Sequence, residues 1–201
     1  MAFVSAPVGA QQLGREYSML PSALPKEAPD KIEMIEFFSY ACPHCNALNP
    51  FIAEWAAKLP SDVYFRKEAV SFDSPFYLLT AKLFYALEAI GEEKRLDSAV
   101  FNAIHKDRVK LIDEKSVTAW VAAQGIDQKK FSEASSSFSV TSRIARSDKL
   151  VEQANLPGVP VLVVDGRFLV GGPGITSYPQ MLSVADQLVA KARAERVSAK
   201  K

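Results

Sequence analysis

The sequence predicts an α/β domain that is interrupted by an all-helical insertion. Strand-like apolar runs fill the first third of the chain, helical periodicity replaces them from Ser74, and strand-like runs return after residue 155. The chain has 201 residues, of which 48% are apolar. That length and composition are sufficient for one domain with an elaboration.

The first part of the predicted domain contains three strands and one helix. The strands correspond to REYSML at 15–20, IEMIEFFS at 32–39 and DVYFRKEAV at 62–70. A helix begins directly after the second strand, in PHCNALNPFIAEWAAKL. Both cysteines of the chain, Cys42 and Cys45, therefore lie at this strand-to-helix junction.

The insertion is predicted to span residues 74–154. Ser74 is a capping residue before Pro75 at the first helical position, and apolar residues then repeat on one face as far as Gly91. The same spacing recurs in the segments that follow. We interpret the run SSSFS at 135–139 as a junction between helices, because five residues with a central Phe are too short and too apolar for disorder.

The α/β core resumes after the insertion. VPVLVVDG and RFLVGG are strand-like and are joined at Asp165-Gly166, the strongest short-range hairpin signal in the chain. An amphipathic helix follows from Pro179 to about Arg196. Pro160 opens the fourth strand, and its simplest interpretation is a trans proline at a strand start, where proline is tolerated.

The two cysteines could form a structural disulfide, half of a metal site or a redox pair. A bridge across two intervening residues closes a tiny loop and adds little stability. A structural zinc site usually needs four Cys or His ligands, and the only histidines are His44, between the cysteines, and His105. We interpret His105 as a solvated residue near a helix C-terminus, where a cation is favoured. The ligand count argues against a metal, and redox exchange is the favoured interpretation.

The start of the helix also favours redox chemistry at Cys42. Pro43 occupies the first turn, where its missing N–H costs nothing. Unpaired amides and the positive end of the helix dipole converge on the Cys42 sulfur and stabilise its thiolate. Cys45, one turn further in, is placed to be the shielded resolving thiol. The His44 imidazole either donates a hydrogen bond or positive charge to that thiolate, or simply faces solvent.

Two motifs resemble those of the DsbA family of bacterial periplasmic thiol:disulfide oxidases, within the thioredoxin superfamily. They are EFFSYACPHC and the later GVPVLVVDGRFLVGG, with a long helical stretch between them. The resemblance implies a thioredoxin-like fold formed by 15–73 and 155–197, with 74–154 as an inserted all-helical domain. It also implies a protein-disulfide oxidoreductase that donates the Cys42–Cys45 disulfide to newly secreted, unfolded proteins and needs no other cofactor.

The resemblance further implies a role for Val159 and Pro160. In thioredoxin-like proteins the matching proline is cis and packs beside the CxxC, so we expect Pro160 to be cis. The preceding backbone, at Val159, is then free to pair with an extended substrate. Valine at this position is similar to DsbA, whereas many reductases and isomerases of the superfamily carry Thr there.

Glu36 breaks the apolar pattern of its strand. By strand parity it points inward beneath the cysteines, and an acid on the solvated face is the alternative. A buried Glu36 should resist ionising and could relay a proton for Cys45. By the resemblance, Lys67 matches a family lysine near that acid. Asn49 stands where some members carry a second acid, which predicts a thinner charged network.

The resemblance implies re-oxidation by a quinone-linked inner-membrane oxidase of the DsbB kind, and a periplasmic location. We also expect a monomer. We interpret residues 1–14 as a signal-peptide remnant or a flexible N-terminus, because VGA at 8–10 resembles the small-residue end of a secretory signal, with an expression scar as the alternative. No segment is long enough to span a membrane, and the short basic end VSAKK does not indicate nucleic-acid binding.

Two other functions remain open from the sequence. A noncatalytic peptide-binding or chaperone module would carry a vestigial CxxC. A disulfide isomerase or reductase would use the same cysteines, although isomerases of this superfamily usually carry a separate dimerisation domain, for which we expect no room in this chain.

Overall fold

A mixed sheet of five strands lies at the centre of the molecule, which a computed structural model describes for residues 13–198. The first strand is shorter than the predicted 15–20, because residues 14–16 form a turn. The strands are β1 (Tyr17–Met19), β2 (Ile32–Phe38), β3 (Val63–Ala69), β4 (Val161–Val164) and β5 (Phe168–Val170). Their order is β1-β5-β4-β2-β3, in which β2 and β3 are parallel and the other neighbours are antiparallel.

The strand β2 is buried along its whole length. It lies between β3 and β4, and all seven of its residues are buried. Core clusters lie against both faces of the sheet here, so the side chains of β2 do not alternate between core and solvent. Strand parity places Glu36 on the same face as Met34, towards α1, but its burial follows from the central position of the strand.

Two helices pack on one face of the sheet. The helix α1 (Pro43–Ala56) links β2 to β3 as a crossover between parallel strands, and α7 (Tyr178–Ser198) follows β5. Residues of both helices share one core cluster with Met34 of β2 and Val164 of β4. The predicted last helix is confirmed, with one residue more at its start and two more at its end.

Five helices lie between β3 and β4 in the described part of the chain, and the predicted all-helical insertion is confirmed. Ser74 is the N-cap of the first of them, as predicted, but its side chain makes no capping hydrogen bond. The run SSSFS is a junction between helices, where the Ser137 hydroxyl accepts from the Val140 amide. The helices are α2 (Pro75–Ala89), α3 (Glu93–His105), α4 (Glu114–Ala123), α5 (Gln128–Ser135) and α6 (Phe138–Ala154).

An aromatic cluster joins the insertion to the end of β2. Phe38, at the end of the strand, packs edge to face on Phe84 of α2, with ring centroids 5.0 Å apart. Tyr40, in the loop that follows, packs in the same way on Phe101 of α3 at 4.9 Å. Both cysteines belong to this cluster, so the dithiol lies where the sheet meets the insertion.

Buried charges form a second link between the sheet and the insertion. Arg66 of β3 donates from Nε to Glu33 of β2 at 2.9 Å and from Nη1 to Glu68. The Tyr85 hydroxyl of α2 donates to the other Glu68 oxygen at 2.6 Å. Because a buried charge is tolerated only with well-placed partners, these contacts orient α2 on the sheet.

The hairpin predicted at Asp165-Gly166 is confirmed. Both residues have positive φ, 55° and 68°, and the Arg167 amide closes the turn by donating to the Val164 carbonyl at 3.0 Å. The Leu24 amide donates to the Gly166 carbonyl at 2.9 Å. The turn therefore also anchors the segment between β1 and β2.

The predicted N-terminal segment 1–14 lies outside the described residues except for its last two positions. Among the helices of residues 13–198, none combines the length and the apolar character that crossing a membrane requires.

We expect Gly166→Ala to destabilise the protein more than Gly91→Ala does. Both glycines have positive φ, which costs an L-residue about 1–2 kcal/mol. At Gly166 a Cβ would also lie 2.8 Å from the Leu24 carbonyl oxygen, while at Gly91 nothing lies within 4 Å. Such overpacking adds about 1–3 kcal/mol. Urea unfolding measures both losses, and equal values would show that the Leu24 contact is not a constraint.

Candidate active site

Cys42 lies between β2 and α1, at the N-cap of α1. Its Sγ accepts a hydrogen bond from the Cys45 amide at 3.4 Å, and Pro43 occupies the first turn. Because proline has no N–H, the amides available to the sulfur come from the residues after it. This confirms the predicted strand-to-helix junction and places the Cys42 sulfur at the positive end of α1.

Ser39 holds the loop that leads from β2 to Cys42. Its carbonyl accepts from the Cys42 amide at 3.1 Å, and its hydroxyl accepts from the Ala41 amide at 3.2 Å. The same hydroxyl lies 3.2 Å from the Thr80 hydroxyl of α2. No sequence pattern pairs Ser39 with Thr80, because the contact spans 41 positions and depends on how the insertion packs.

The two thiols are free and chemically unlike each other. The pKa of Cys42 is lowered to about 6, first by a hydrogen bond with the Cys45 thiol and then by the Cys45 and His44 amides, against the opposing effect of burial. The Cys45 sulfur is fully buried, and burial raises the pKa of its thiol. Near neutral pH the pair therefore combines a thiolate with a shielded thiol.

His44 and Pro43 are exposed on the first turn of α1. The charge of His44 contributes less to the low pKa of Cys42 than the hydrogen bond with the Cys45 thiol does. The structure places His44 at the site, and its role as the residue that tunes the thiolate stays a prediction.

Val159 and Pro160 lie beside Cys42. The peptide bond between them is cis, which confirms the expectation for Pro160. The Val159 carbonyl oxygen lies 3.4 Å from Cys42 Sγ, across 117 positions of the chain, and accepts a hydrogen bond from this sulfur when it is protonated. A backbone acceptor thus lies directly at the reactive sulfur.

An apolar groove of about 1000 Å³ begins beside His44 and Val159 and is lined by residues of α1, β5 and α7. The rings of Phe51 and Tyr178 stand in its wall, with centroids 6.1 Å apart. An apolar groove next to a reactive sulfur suits an extended polypeptide with apolar side chains.

The Glu36 side chain is buried at 1% exposure, so the alternative of a solvated acid is wrong. Neither carboxyl oxygen has a hydrogen-bond partner among the described residues, and Lys67 Nζ lies 3.7 Å from Oε2. Burial raises the pKa of Glu36 to about 7, although the Lys67 charge opposes it. Glu36 also acts electrostatically on Cys45, whose pKa its charge helps to raise.

Lys67 is bound more closely by Asp97 of α3 than by Glu36. Its Nζ lies 2.8 and 3.0 Å from the two Asp97 oxygens and 4.2 Å from the centre of the Phe38 ring. The Tyr40 hydroxyl also donates to Asp97, at 2.9 Å. Asp97 escaped prediction because nothing in an amphipathic helix of the insertion marks which of its acids faces β3.

Asn49 supplies no charge at its position, and the expectation of a thinner charged network there stays a prediction. Asn49 is buried and donates from Nδ2 to the Ser98 hydroxyl at 3.2 Å. The neighbouring Asp97 supplies a second carboxylate to Lys67. The second acid near the lysine therefore comes from α3 rather than from α1.

His105 lies in the last turn of α3, as predicted, but it is only partly exposed to solvent. Its half-buried ring stacks on Phe101 with centroids 6.2 Å apart, and Nε2 donates to the Tyr40 carbonyl at 2.7 Å. The histidine thus supports the active-site loop. Across residues 13–198, no group of three or more His, Cys, Asp or Glu residues is arranged to hold a metal ion.

Comparison with known proteins finds one family. A family model described as a DSBA-like thioredoxin domain matches residues 33–183. A thiol:disulfide interchange protein DsbA from Azotobacter vinelandii is 40% identical over 187 residues, covering 90% of this chain and 85% of that protein. The protein of the same name from Bordetella parapertussis is 36% identical over 190 residues, covering 94% and 90%.

Solved structures agree with this result. The crystal structure of Pseudomonas aeruginosa DsbA matches with a TM-score of 0.87 at 35% identity, covering 95% of this chain and 97% of that one. The crystal structure of DsbA from Xylella fastidiosa matches with a TM-score of 0.86 at 26% identity, covering 92% and 99%. The thioredoxin-like fold with a helical insertion is therefore confirmed.

We expect Cys45→Ala to raise the pKa of Cys42 more than His44→Ser does. The first substitution removes the thiol hydrogen bond that lowers this pKa most, and the second removes only a nearby charge. The midpoint should rise from about 6 in both variants, by about one unit or more in Cys45→Ala. Thiolate absorbance against pH measures it, with Cys42→Ala as the baseline. A larger rise of the Cys42 pKa in His44→Ser than in Cys45→Ala would make His44 the main tuning residue. An unchanged Cys42 pKa in His44→Ser would exclude His44 from that role.

We expect Glu36→Gln to stabilise the protein at pH 8 and to have little effect at pH 4. The pKa of Glu36 is raised from 4.5 to about 7 on folding, so folded stability is lost as the pH rises through that window. The shift corresponds to about 3 kcal/mol at full ionisation. Urea unfolding at both pH values measures the difference, and Glu54→Gln, on the exposed side of α1, is the control. An equal difference in unfolding free energy at pH 4 and at pH 8 would contradict the ionisation of a buried Glu36.

Proposed function

The chain belongs to the DsbA family of thioredoxin-fold thiol:disulfide oxidoreductases, and on that premise we propose that it donates the Cys42–Cys45 disulfide to newly secreted, unfolded proteins. The unequal sulfur pair carries this proposal. Cys42 lies at a helix N-terminus beside an apolar groove, while Cys45 is sealed in the core. Both cysteines are buried, Cys42 at 4% exposure and Cys45 at 0%, so the position of Cys42 at the helix N-terminus makes it the sulfur that a client thiolate would attack.

The exchange conserves atoms and electrons. A client thiolate attacks Cys42 Sγ, the Cys42–Cys45 bond breaks, and Cys45 leaves as a thiolate that takes up a proton. A second client thiolate then attacks the client sulfur of the mixed disulfide and displaces the Cys42 thiolate. Two client thiols are oxidised to a disulfide, and the pair is reduced to the dithiol.

Stabilisation of the Cys42 thiolate favours this direction. Its pKa falls from an ordinary 9.0 to about 6. At pH 7 an unshifted thiol would still be protonated, so only the difference between this pH and the lowered pKa, about one pH unit, stabilises the thiolate. This difference is worth about 1.4 kcal/mol in favour of the reduced pair, or about 30 mV. Because the folded pKa is lowered, this contribution is lost as the pH falls through 6 and grows as the pH rises towards 9.

The residues around the pair supply the remaining roles. Glu36 makes no hydrogen bond to Cys45 among the described residues but acts on it electrostatically. As a buried carboxyl that titrates near neutral pH, it serves as the general acid for the leaving Cys45 thiolate by way of an intervening water. Lys67 limits the cost of the charge that Glu36 then carries. The Val159 backbone pairs with the extended client beside Cys42, and Pro43 and His44 complete the exposed rim of the site.

The groove is the proposed docking surface for partners. An extended client segment would lie in it, with apolar side chains against Phe51 and Tyr178. A quinone-linked inner-membrane oxidase of the DsbB kind would present its cysteines to the same end and re-oxidise the pair. The location consistent with both partners is the periplasm, and we propose a monomer as the acting form.

Reactivation of reduced, unfolded RNase tests the function. The oxidised protein should restore RNase activity with stoichiometric loss of its own disulfide, and Cys42→Ala should be inactive. Equilibration of Cys42–Cys45 with glutathione then separates the alternatives: an oxidising couple supports the oxidase, a strongly reducing one a reductase, and an inert disulfide a peptide-binding module. The last two outcomes contradict the proposal.

We expect Cys45→Ala to accumulate mixed disulfides. Cys42 still attacks a client disulfide, but no second sulfur remains to displace the client from it. Covalent adducts should appear on non-reducing gels and disappear on reduction. Cys42→Ala is the matched control, and equal trapping in that variant would show that Cys42 is not the nucleophile.

A further inference from the structure

Lys67 lies between two carboxylates and binds them unequally. Its Nζ makes hydrogen bonds to both oxygens of Asp97, at 2.8 and 3.0 Å, and stays 3.7 Å from the nearest oxygen of Glu36. The ammonium also lies over the rings of Phe38 and Phe101, at 4.2 and 5.5 Å from their centres. Asp97 and these aromatic faces together determine where the lysine charge lies.

Asp97 is in turn held by the active-site loop. The hydroxyl of Tyr40, two residues before Cys42, donates to Asp97 Oδ1 at 2.9 Å. The side chains of Asp97 and Lys67 are only 14% and 9% exposed, so solvent and salt screen their attraction weakly. The contact is therefore stronger than an ion pair on the surface would be.

We propose that Asp97 is a positioning residue that holds Lys67 away from Glu36 and so leaves the Glu36 carboxyl free to exchange a proton with Cys45. Among the described contacts Asp97 bonds to Lys67 and Tyr40 and to neither sulfur, so its effect passes through Lys67. The inference rests on the proposed function, because the proton on Cys45 matters only if that thiol is released and re-formed.

The proton follows a closed path. When a client thiolate opens the disulfide, the Glu36 carboxyl gives its proton to the Cys45 thiolate and remains as a carboxylate 3.7 Å from Lys67. On re-oxidation the Cys45 thiol returns its proton to the Glu36 carboxylate as the sulfur forms the disulfide bond.

Removal of the Asp97 charge should favour ionised Glu36 for two reasons. A negative neighbour is lost, and Lys67 is released to pair with the remaining carboxylate. Both changes lower the pKa of Glu36 from about 7 towards its ordinary range, where it holds no proton to donate at neutral pH. The groups that act on Glu36 from the surrounding elements are Lys67 of β3, Asp97 and Glu93 of α3, Cys45 of α1 and Tyr40 of the loop after β2.

An NMR titration of Glu36 in protein labelled with ¹³C-glutamate tests the inference. Glu36→Gln assigns the signal. We expect Asp97→Asn to lower the Glu36 midpoint by about one pH unit or more, and Asp97→Glu to restore it. Glu93→Gln is the matched control, since it removes an acid from the same helix that makes no ion pair with Lys67 among the described contacts, and its shift should be smaller.

Three results would overturn the inference: an unchanged Glu36 midpoint in Asp97→Asn, an upward shift, or a shift no larger than that of Glu93→Gln. A purely structural role would lower the urea midpoint of Asp97→Asn and leave the Glu36 titration in place. Asp97→Ser, which leaves room for water, is judged by the same criterion if the asparagine variant does not fold. A Glu36 midpoint below about 5 in the parent protein would by itself contradict the relay.

The titration does not depend on redox activity, so the oxidase function and the positioning role of Asp97 can be disproved independently. A protein that is inert towards reduced RNase but shows the Asp97→Asn shift would contradict the oxidase and support the Asp97 contact. An active oxidase in which Asp97→Asn leaves the Glu36 midpoint unchanged would overturn this inference alone. In an active protein, the pH profile of disulfide opening should move down by the same amount as the Glu36 midpoint.

Discussion

The first turn of α1 satisfies its amides with a sulfur atom, and the arrangement of the active site follows from that contact. Cys42 Sγ takes the place that a serine or aspartate oxygen usually takes at a helix N-cap. Sulfur accepts hydrogen bonds poorly as a thiol and much better as a thiolate, so the helix is best capped when Cys42 is ionised. The reduced form of the pair is therefore also the form in which α1 is best capped. This coupling favours opening of the disulfide.

Two groups of buried charge lie on either side of β2 and differ in kind. Arg66 satisfies Glu33 and Glu68 through hydrogen bonds from Nε and Nη1. Glu36 has no such donor and keeps only the longer contact with Lys67. The same fold thus contains one network that serves orientation and one carboxyl whose poor satisfaction suits proton transfer.

The sequence predicts the features that are local or carried by a motif. The strand-to-helix junction at Cys42, the hairpin at Asp165-Gly166 and the sequence of helices follow from capping, turn and periodicity rules, and the cis form of Pro160 follows from the family resemblance. It does not predict Asp97, because which acid of an amphipathic helix meets a lysine of the sheet depends on how two separate segments pack. Parity predicts the face on which Glu36 lies but not its burial, since the strand is buried on both faces.

The loop that leads to the cysteines is held from outside the sheet at several points. Its backbone and side chains reach Thr80 of α2 and Asp97 and His105 of α3 through hydrogen bonds that span 41, 57 and 65 positions. The insertion is thus a part of the redox centre and not an attachment to it. Transplanting the CPHC segment onto a bare thioredoxin-like core would carry the sulfurs across and leave these supports behind. In evolutionary terms, the helices and the loop are expected to change together. A recombination that separates them would remove the hydrogen bonds that hold the loop in place.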